Sequence, residues 1–198
     1  MVSKKPFDIE ITMYHTYPDI RKLFNSIHVK RHMRIKDYLA TLEEPIEKRT
    51  LCFLVNGKDE VLIGKKKRGF GAGNYLGIGG KLEQGEEIER AAIREMQEEA
   101  TITPKNLQKM AVVTFLFPGK PHKWNQEVHV FRTSSWQGEP RETEEIIPVW
   151  FKIAEVPYTL MWDDNQYWLP QVLAGKKLRG IFLFNDKLKV EDSEMKPY

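Results

Sequence analysis

The order of hydrophobic and polar residues changes near residue 48. Before this point the chain is polar, and its weak periodicity predicts only two short helices, at 18–27 and 34–42. After it, short apolar segments alternate with turn residues, as in a domain built around a sheet. We therefore expect an N-terminal extension of unassigned role over residues 1–47 and a folded domain over residues 48–198.

Within the expected domain, the pattern predicts strands and helices in irregular alternation. Two strands are predicted on either side of the turn pair Asn56-Gly57, and apolar residues with helical spacing predict two helices. The expected strands are 51–55, 60–64, 110–117, 127–133, 149–153 and 180–184, and the expected helices are 86–100 and 165–173. Because these elements do not alternate regularly, the pattern favours an α+β fold with a mixed sheet between helices.

The predicted helix at 86–100 is rich in glutamate. Its periodicity predicts that Glu95, Glu98 and Glu99 share the side of the helix that carries the apolar residues. Carboxylates three or four positions apart repel each other, and the helix dipole disfavours anions in the C-terminal half. A solvated, glutamate-rich helix is one interpretation. The other, which the predicted geometry favours, is a site where oxygen ligands bind Mg²⁺ or Mn²⁺ and where the ion also contacts substrate phosphates.

Composition and charge limit the classes of partner. The chain has 198 residues, of which 41% are hydrophobic and 30% are charged, as is typical of a globular protein. A formal net charge of +3 gives no support for binding to a nucleic-acid polymer or to a membrane surface. The lone Cys52 excludes an internal disulfide, and the N-terminus lacks a continuous apolar segment. We therefore expect a cytoplasmic protein.

The acidic segment resembles the sequence box of the Nudix hydrolase family, G-x5-E-x7-R-E-U-x-E-E-x-G-U, in which U is aliphatic. The matching positions are Gly80, Glu86, Arg94, Glu95, Met96, Glu98, Glu99 and Ile102. The one departure is Thr101, which stands where the family has the glycine that usually ends the helix. The resemblance implies an α/β/α sandwich with a mixed sheet, and hydrolysis of a nucleoside diphosphate linked to another group.

The resemblance also implies which residues hold the metal ion and assist the reaction. It implies Mg²⁺, with Mn²⁺ as a substitute, as the cofactor, and Glu98 or Glu99 as the base that activates water. Arg94 is expected to fix the orientation of a carboxylate. The implied metal ligands are Glu95, Glu98, Glu99, Glu145 and Gly79.

Between residues 50 and 185 the chain resembles the MutT-like members of the family, which release monophosphate and pyrophosphate from oxidised purine nucleotides such as 8-oxo-dGTP and 2-hydroxy-dATP. Leu76 stands where those members have an asparagine that contacts the purine, and Asn165 stands where they have an aspartate. The implied substrate-binding residues are Thr50, Lys66, Phe70, Leu76, Phe115, Phe117, Trp162, Asp164 and Asn165. The alternatives are a solvated turn for the basic run at 65–68 and an ordinary core for the aromatic residues.

Three functions are compatible with these residues. The first is a Mg²⁺-dependent pyrophosphohydrolase that acts on oxidised purine nucleoside triphosphates. The second keeps this chemistry for another modified nucleotide, a dinucleotide or a nucleotide sugar. The third is a module that binds a nucleotide without cleaving it, which is disfavoured because every carboxylate of the box is present. Each implies a small nucleotide ligand, and the oligomeric state is left open.

Overall fold

The computed structural model describes residues 33–198, and the predicted helix at 18–27 lies outside them. The predicted helix at 34–42 is observed as a shorter helix, α1 (Ile35–Leu39). Ile35 packs against Leu116 and Leu183 of the sheet described below, and its backbone N–H donates a hydrogen bond to Asp192 Oδ2 at 3.1 Å. Residues 34–198 form one compact unit, while the expected division between residues 47 and 48 stays a prediction.

A five-stranded mixed sheet forms the centre of the described chain, in the order β1-β6-β5-β9-β10. β1 runs parallel to β6 and β5 runs parallel to β9, whereas the other two pairs are antiparallel. This arrangement confirms the mixed sheet expected from the irregular order of elements. The strands are β1 (Glu47–Leu54), β5 (Gln108–Leu116), β6 (Gln126–Thr133), β9 (Leu178–Phe184) and β10 (Val190–Pro197).

Two smaller sheets complete the β-structure of the described residues. One has the order β3-β2-β8, formed by β3 (Tyr75–Leu76), β2 (Glu60–Lys66) and β8 (Ile146–Lys152). The other pairs β4 (Thr103–Lys105) with β7 (Ser135–Gln137). The sequence pattern missed β4, β7 and β10, because the first two are only three residues long and β10 is an edge strand without a buried apolar face.

Two longer helices cover opposite faces of the central sheet. Cys52 and Leu54 of β1 pack against α2 (Ile88–Ala100), whereas Phe53 packs against α3 (Asn165–Leu173). Because successive side chains of a strand point to opposite faces, the two helices enclose the sheet from both sides. The expected α/β/α sandwich is therefore confirmed. No helix of the described residues is long and apolar enough to cross a membrane.

Candidate active site

The loop before α2 lies directly against the acidic face of the helix. Gly79 donates its backbone N–H to Glu99 Oε2 at 3.2 Å. A Cβ at Gly80 would lie 2.5 Å from the Glu95 carboxylate, so only glycine allows this close approach. The loop is fixed to the sheet because Thr50 N–H donates to Gly80 O at 2.8 Å and Cys52 N–H donates to Ile78 O at 2.8 Å.

The periodicity predicts that the three glutamates share one side of the helix, but the structure shows that they do not. The side chains of Glu95 and Glu99 are largely buried beside the loop, with 13% and 6% of their surface exposed. The side chain of Glu98 is 58% exposed, so the prediction was wrong for this residue. The physical reason is that the loop at Gly79 and Gly80 covers Glu95 and Glu99, whereas Glu98 lies about 100° round the helix from Glu99 and at the edge of the covered side.

Helix α2 ends at Thr101 although this position lacks the family's glycine. Thr101 adopts a left-handed backbone conformation, with φ of 61° and ψ of 27°. Its backbone N–H donates to Gln97 O at 3.1 Å, and its hydroxyl donates to Glu139 O at 2.8 Å. This side-chain hydrogen bond holds a conformation that threonine adopts less easily than glycine.

Arg94 connects four groups around the loop and the helix. Its guanidinium makes two hydrogen bonds of 2.9 Å with the Glu86 carboxylate, and it donates to Glu95 Oε1 and to Glu98 Oε2 at 3.0 Å each. It also donates to the Lys81 carbonyl at 2.9 Å. The hydrogen bonds from Arg94 lower the pKa of Glu86. Arg94 therefore orients the carboxylates beside it and keeps Glu86 ionised.

Lys66, at the end of β2, extends into the same group of acids. Its Nζ lies 3.0 Å from Glu99 Oε1 and 3.2 Å from Glu145 Oε2. Glu145, which precedes β8, also pairs with Arg68 Nη2 at 3.2 Å. Because the Lys66 side chain is mostly buried and pairs with two carboxylates, the solvated-turn interpretation does not hold for this lysine.

The carboxylates on the helix stay electrostatically strained despite these cations. Burial raises the pKa of Glu95, although Arg94 acts in the opposite direction. Burial also raises the pKa of Glu99, against the effect of Lys66. Burial alone would lower the pKa of Lys66, but the Glu99 charge and the hydrogen bonds to Glu99 and Glu145 raise it. The site therefore holds buried negative charge that an additional cation would stabilise.

The donor chemistry of this group fits a divalent metal ion. Among residues 33–198, no three carboxylate, histidine or cysteine side chains are gathered closely enough to hold a metal ion as they stand. Lys66 and Arg94 bridge the carboxylates instead. Glu95, Glu99 and Glu145 nevertheless offer only oxygen donors, the ligand type that Mg²⁺ and Mn²⁺ prefer.

An open cleft with a cavity volume of about 100 Å³ lies beside the acidic group. All nine residues that the resemblance assigned to substrate binding line it: Thr50, Lys66, Phe70, Leu76, Phe115, Phe117, Trp162, Asp164 and Asn165. Of the nine, Thr50 is fully buried, and its hydroxyl has no hydrogen-bond partner among the described residues.

Aromatic rings form the wall of the cleft. Phe70 stacks on Trp162 with ring centroids 5.1 Å apart and planes at 19°. Phe117 stacks on Phe184 at 4.5 Å and meets Trp162 edge-on at 5.9 Å. Trp124, in the loop before β6, meets Phe70 edge-on at 4.7 Å. Because Phe70 is partly exposed, it is the ring that can move most easily to admit a planar ligand.

Asp164 and Asn165 lie at the start of α3, where they form a buried polar pair. Asp164 Oδ2 accepts a hydrogen bond from Trp168 Nε1 at 2.7 Å and another from Asn165 Nδ2 at 3.3 Å. Asn165 Nδ2 also donates to Trp162 O at 3.1 Å. Burial raises the pKa of Asp164 to about 7, although the Trp168 hydrogen bond acts in the opposite direction.

Six further residues line the cleft that the sequence did not single out: Arg49, Leu51, Gln126, Val128, Trp168 and Phe184. Leu51, Val128 and Phe184 are apolar strand residues and Trp168 is an apolar residue of α3, and the sequence does not distinguish them from other core residues. Gln126 differs, because it is a polar residue with only 7% of its surface exposed. Its signal in the sequence is an amide that shares a strand face with the apolar core residues Val128 and Val130.

Comparison with known proteins agrees with this geometry. A model of the NUDIX domain matches residues 46–172. The chain is 44% identical to the oxidized purine nucleoside triphosphate hydrolase of Danio rerio, over 66% of this chain and 83% of the relative. It is 42% identical to the hydrolase of that name from Mus musculus, over 68% and 85%. A solved MutT protein of Bacillus halodurans has a TM-score of 0.66 at 26% identity, covering 77% of this chain and 99% of its own. The chain therefore belongs to the Nudix family.

Proposed function

We propose that this Nudix hydrolase cleaves oxidised purine nucleoside triphosphates, such as 8-oxo-dGTP or 2-hydroxy-dATP, to the nucleoside monophosphate and pyrophosphate. The observation that carries the proposal is a single cleft whose lining runs from Lys66 and the loop at Gly79 and Gly80 to the aromatic residues Phe117 and Trp162. The names of the Danio rerio and Mus musculus relatives support this class of substrate. The expected role is removal of damaged nucleotides in the cytoplasm.

The two ends of the cleft suit the two ends of a nucleotide. At one end, Lys66 provides a cation for the phosphates. At the other end, Trp162 provides a ring face on which a base can stack, and Asp164 and Asn165 provide polar atoms for its edge. Because Phe70 stacks on Trp162, we propose that Phe70 moves aside when a base enters.

Nudix hydrolases use divalent metal ions, and we propose Mg²⁺ for this chain, with Mn²⁺ as a substitute. When bound, the ion would lower the pKa of coordinated water and screen the phosphate charge. Arg94 orients the neighbouring carboxylates, and Glu98 or Glu99 accepts the proton of the attacking water. The proposed metal ligands are Glu95, Glu98, Glu99, Glu145 and the backbone of Gly79.

One feature favours a second substrate class with the same chemistry. Leu76 lines the cleft with an apolar side chain, so the position offers no hydrogen bond to a base. A site without that hydrogen bond discriminates less sharply between purines. The second candidate is therefore hydrolysis of another modified nucleotide, a dinucleotide or a nucleotide sugar at the same carboxylates.

The test is hydrolysis of a panel of nucleotides with Mg²⁺, followed by chromatography. The panel contains 8-oxo-dGTP, 2-hydroxy-dATP, dGTP, dATP, ADP-ribose and a dinucleoside polyphosphate. We expect the oxidised triphosphates to have the highest kcat/KM and to yield monophosphate and pyrophosphate. If ADP-ribose or the dinucleotide is cleaved while 8-oxo-dGTP is not, the second candidate is correct.

Variants of the helix connect this activity to the carboxylates. Glu98→Gln and Glu99→Gln are expected to reduce kcat by at least about 100-fold, because each removes either the base or a metal ligand. Glu89→Gln is the matched control, since Glu89 lies on the same helix but is exposed and does not line the cleft. Equal losses in all three variants would indicate a general effect on the helix rather than on the site.

A further inference from the structure

Gln126 differs from the other buried amides near the cleft in having no partner. It is the first residue of β6 and is 7% exposed. It lies beside Phe115 of β5 in the register of the sheet, and both residues line the cleft. Within residues 33–198, the side-chain amide of Gln126 has no hydrogen-bond partner. Its amide atoms are not among the fully buried, unpaired atoms of the described residues, so they keep access to the cleft that Gln126 lines.

The neighbouring amide shows how this region satisfies a buried polar group that only maintains the structure. Asn125 is 1% exposed. Its Oδ1 accepts a hydrogen bond from Phe117 N–H at 2.8 Å, and its Nδ2 donates to the Tyr38 hydroxyl at 3.2 Å. The two adjacent amides therefore differ: the Asn125 side chain makes hydrogen bonds within the fold, whereas the Gln126 side chain makes none with the described residues and lines the cleft.

Nearby charged groups do not satisfy Gln126 either. Glu47 of β1 is its partner in the parallel register. The Glu47 carboxylate binds Arg49 at 2.7 Å and Lys81 at 2.5 Å. Val128, the next inward residue of β6, is apolar. The free donor and acceptor of Gln126 are therefore available to a molecule in the cleft.

We propose that Gln126 is the amide that recognises the edge of the base, an inference that rests on the proposed function. A primary amide presents an N–H donor and a carbonyl acceptor side by side. It therefore pairs with a base edge that presents an acceptor next to a donor, in the way that amides bind purine edges. An 8-oxopurine has such a pair, because its N7 carries a hydrogen beside the O6 acceptor, whereas N7 and O6 of guanine are both acceptors. Gln126 thus supplies, from the central sheet, a base contact that Leu76 on β3 does not make.

The test is Gln126→Met, which keeps the length of the side chain and removes its polar atoms. Loss of the base contact is expected to raise KM for 8-oxo-dGTP by about 10- to 100-fold with little change in kcat, because the contact lies away from the reacting phosphates. The same change should reduce the preference for 8-oxo-dGTP over dGTP. In the absence of nucleotide the variant is expected to unfold at the same or a higher temperature, since the replaced amide makes no hydrogen bond within the described residues and the new side chain is apolar.

Gln108→Met is the matched control, because Gln108 is an exposed glutamine on the neighbouring strand β5 and does not line the cleft. It should leave KM and the discrimination ratio unchanged. An unchanged KM in Gln126→Met overturns the proposal, and so does a lower unfolding temperature, which would assign the amide a structural role. If the wild type does not hydrolyse oxidised purine nucleotides, the proposed function is wrong. The KM values of wild type and Gln126→Met are then compared on the panel member with the highest kcat/KM, and this comparison decides the role of Gln126 independently.

Discussion

The buried Asp164 makes the stability of this protein depend on pH near neutrality. Burial raises the pKa of its carboxyl from 3.8 to about 7. Because the folded-state pKa lies above the unfolded value, the folded protein binds a proton more tightly than the unfolded chain between these two values. Stability then falls as the pH rises from about 4 to about 7, and above pH 7 the full cost of the buried charge is present.

The magnitude follows from the difference between the two pKa values. A difference of about three pH units corresponds to roughly 4 kcal/mol at high pH, of which about 3 kcal/mol develops between pH 5 and pH 8. Asp164→Asn removes this dependence and keeps the local contacts, because Asp164 Oδ2 accepts both hydrogen bonds and one amide oxygen can replace it. For a domain of this size, 3 kcal/mol corresponds to roughly 6–12 °C in Tm.

The assay is thermal unfolding of wild type and variant at several pH values between 5 and 8, without nucleotide. The difference in Tm should move in favour of Asp164→Asn as the pH rises. Asp163→Asn is the matched control. Although partial burial acts in the opposite direction, hydrogen bonds from Lys189 and Val190 lower the pKa of Asp163, so its contribution to stability should be constant above pH 5. A constant difference for Asp164→Asn would refute the reasoning.

Two further predictions concern the loop and the end of helix α2. Gly80→Ala should change the free energy of unfolding by less than about 1 kcal/mol, because the added Cβ displaces only the flexible end of Glu95. The same displacement should raise the Mg²⁺ concentration needed for half-maximal activity at least 10-fold. In Gly79→Ala the added Cβ meets the backbone of β1, so this variant should lose about 2–3 kcal/mol of unfolding free energy. Thr101→Ala should be about 1 kcal/mol less stable than Thr101→Gly in chemical denaturation. Both variants lose the hydrogen bond to Glu139, but only glycine removes the conformational strain of the left-handed backbone. Equal stability of the two variants would contradict this account.

The chemistry of the site was more predictable from the sequence than its geometry. The box fixes the identity and spacing of Arg94, Glu95 and Glu99, and the helix brings these residues to the loop as expected. The mixed sheet also followed from the order of the elements. Helical periodicity failed for Glu98, because the periodicity does not show how far the loop at Gly79 and Gly80 extends round the helix to cover its glutamates.

Long-range contacts account for most of what the sequence could not show. Lys66 meets Glu99 and Glu145 across separations of 33 and 79 residues, and no local pattern predicts such a contact. The same holds for edge strand β10, whose exposed residues carry no apolar alternation. Gln126 could have been noticed as a polar residue on an inward strand position, but only the structure shows that its amide is unpaired.

The buried polar groups around the cleft fall into two classes, and the distinction has a physical meaning. Glu99 and Asp164 have partners within the chain, which hold them in place before any ligand binds. Gln126 and the Thr50 hydroxyl have no partner among the described residues. The Thr50 hydroxyl is fully buried, and an unpaired buried polar group costs about 1–3 kcal/mol, so a ligand that hydrogen-bonds to it recovers that free energy on binding. The Gln126 amide keeps solvent access, so a ligand that binds it replaces a hydrogen bond to water. The groups that the fold leaves unpaired therefore indicate where selectivity for the ligand arises, and those that it pairs indicate where the geometry is fixed in advance.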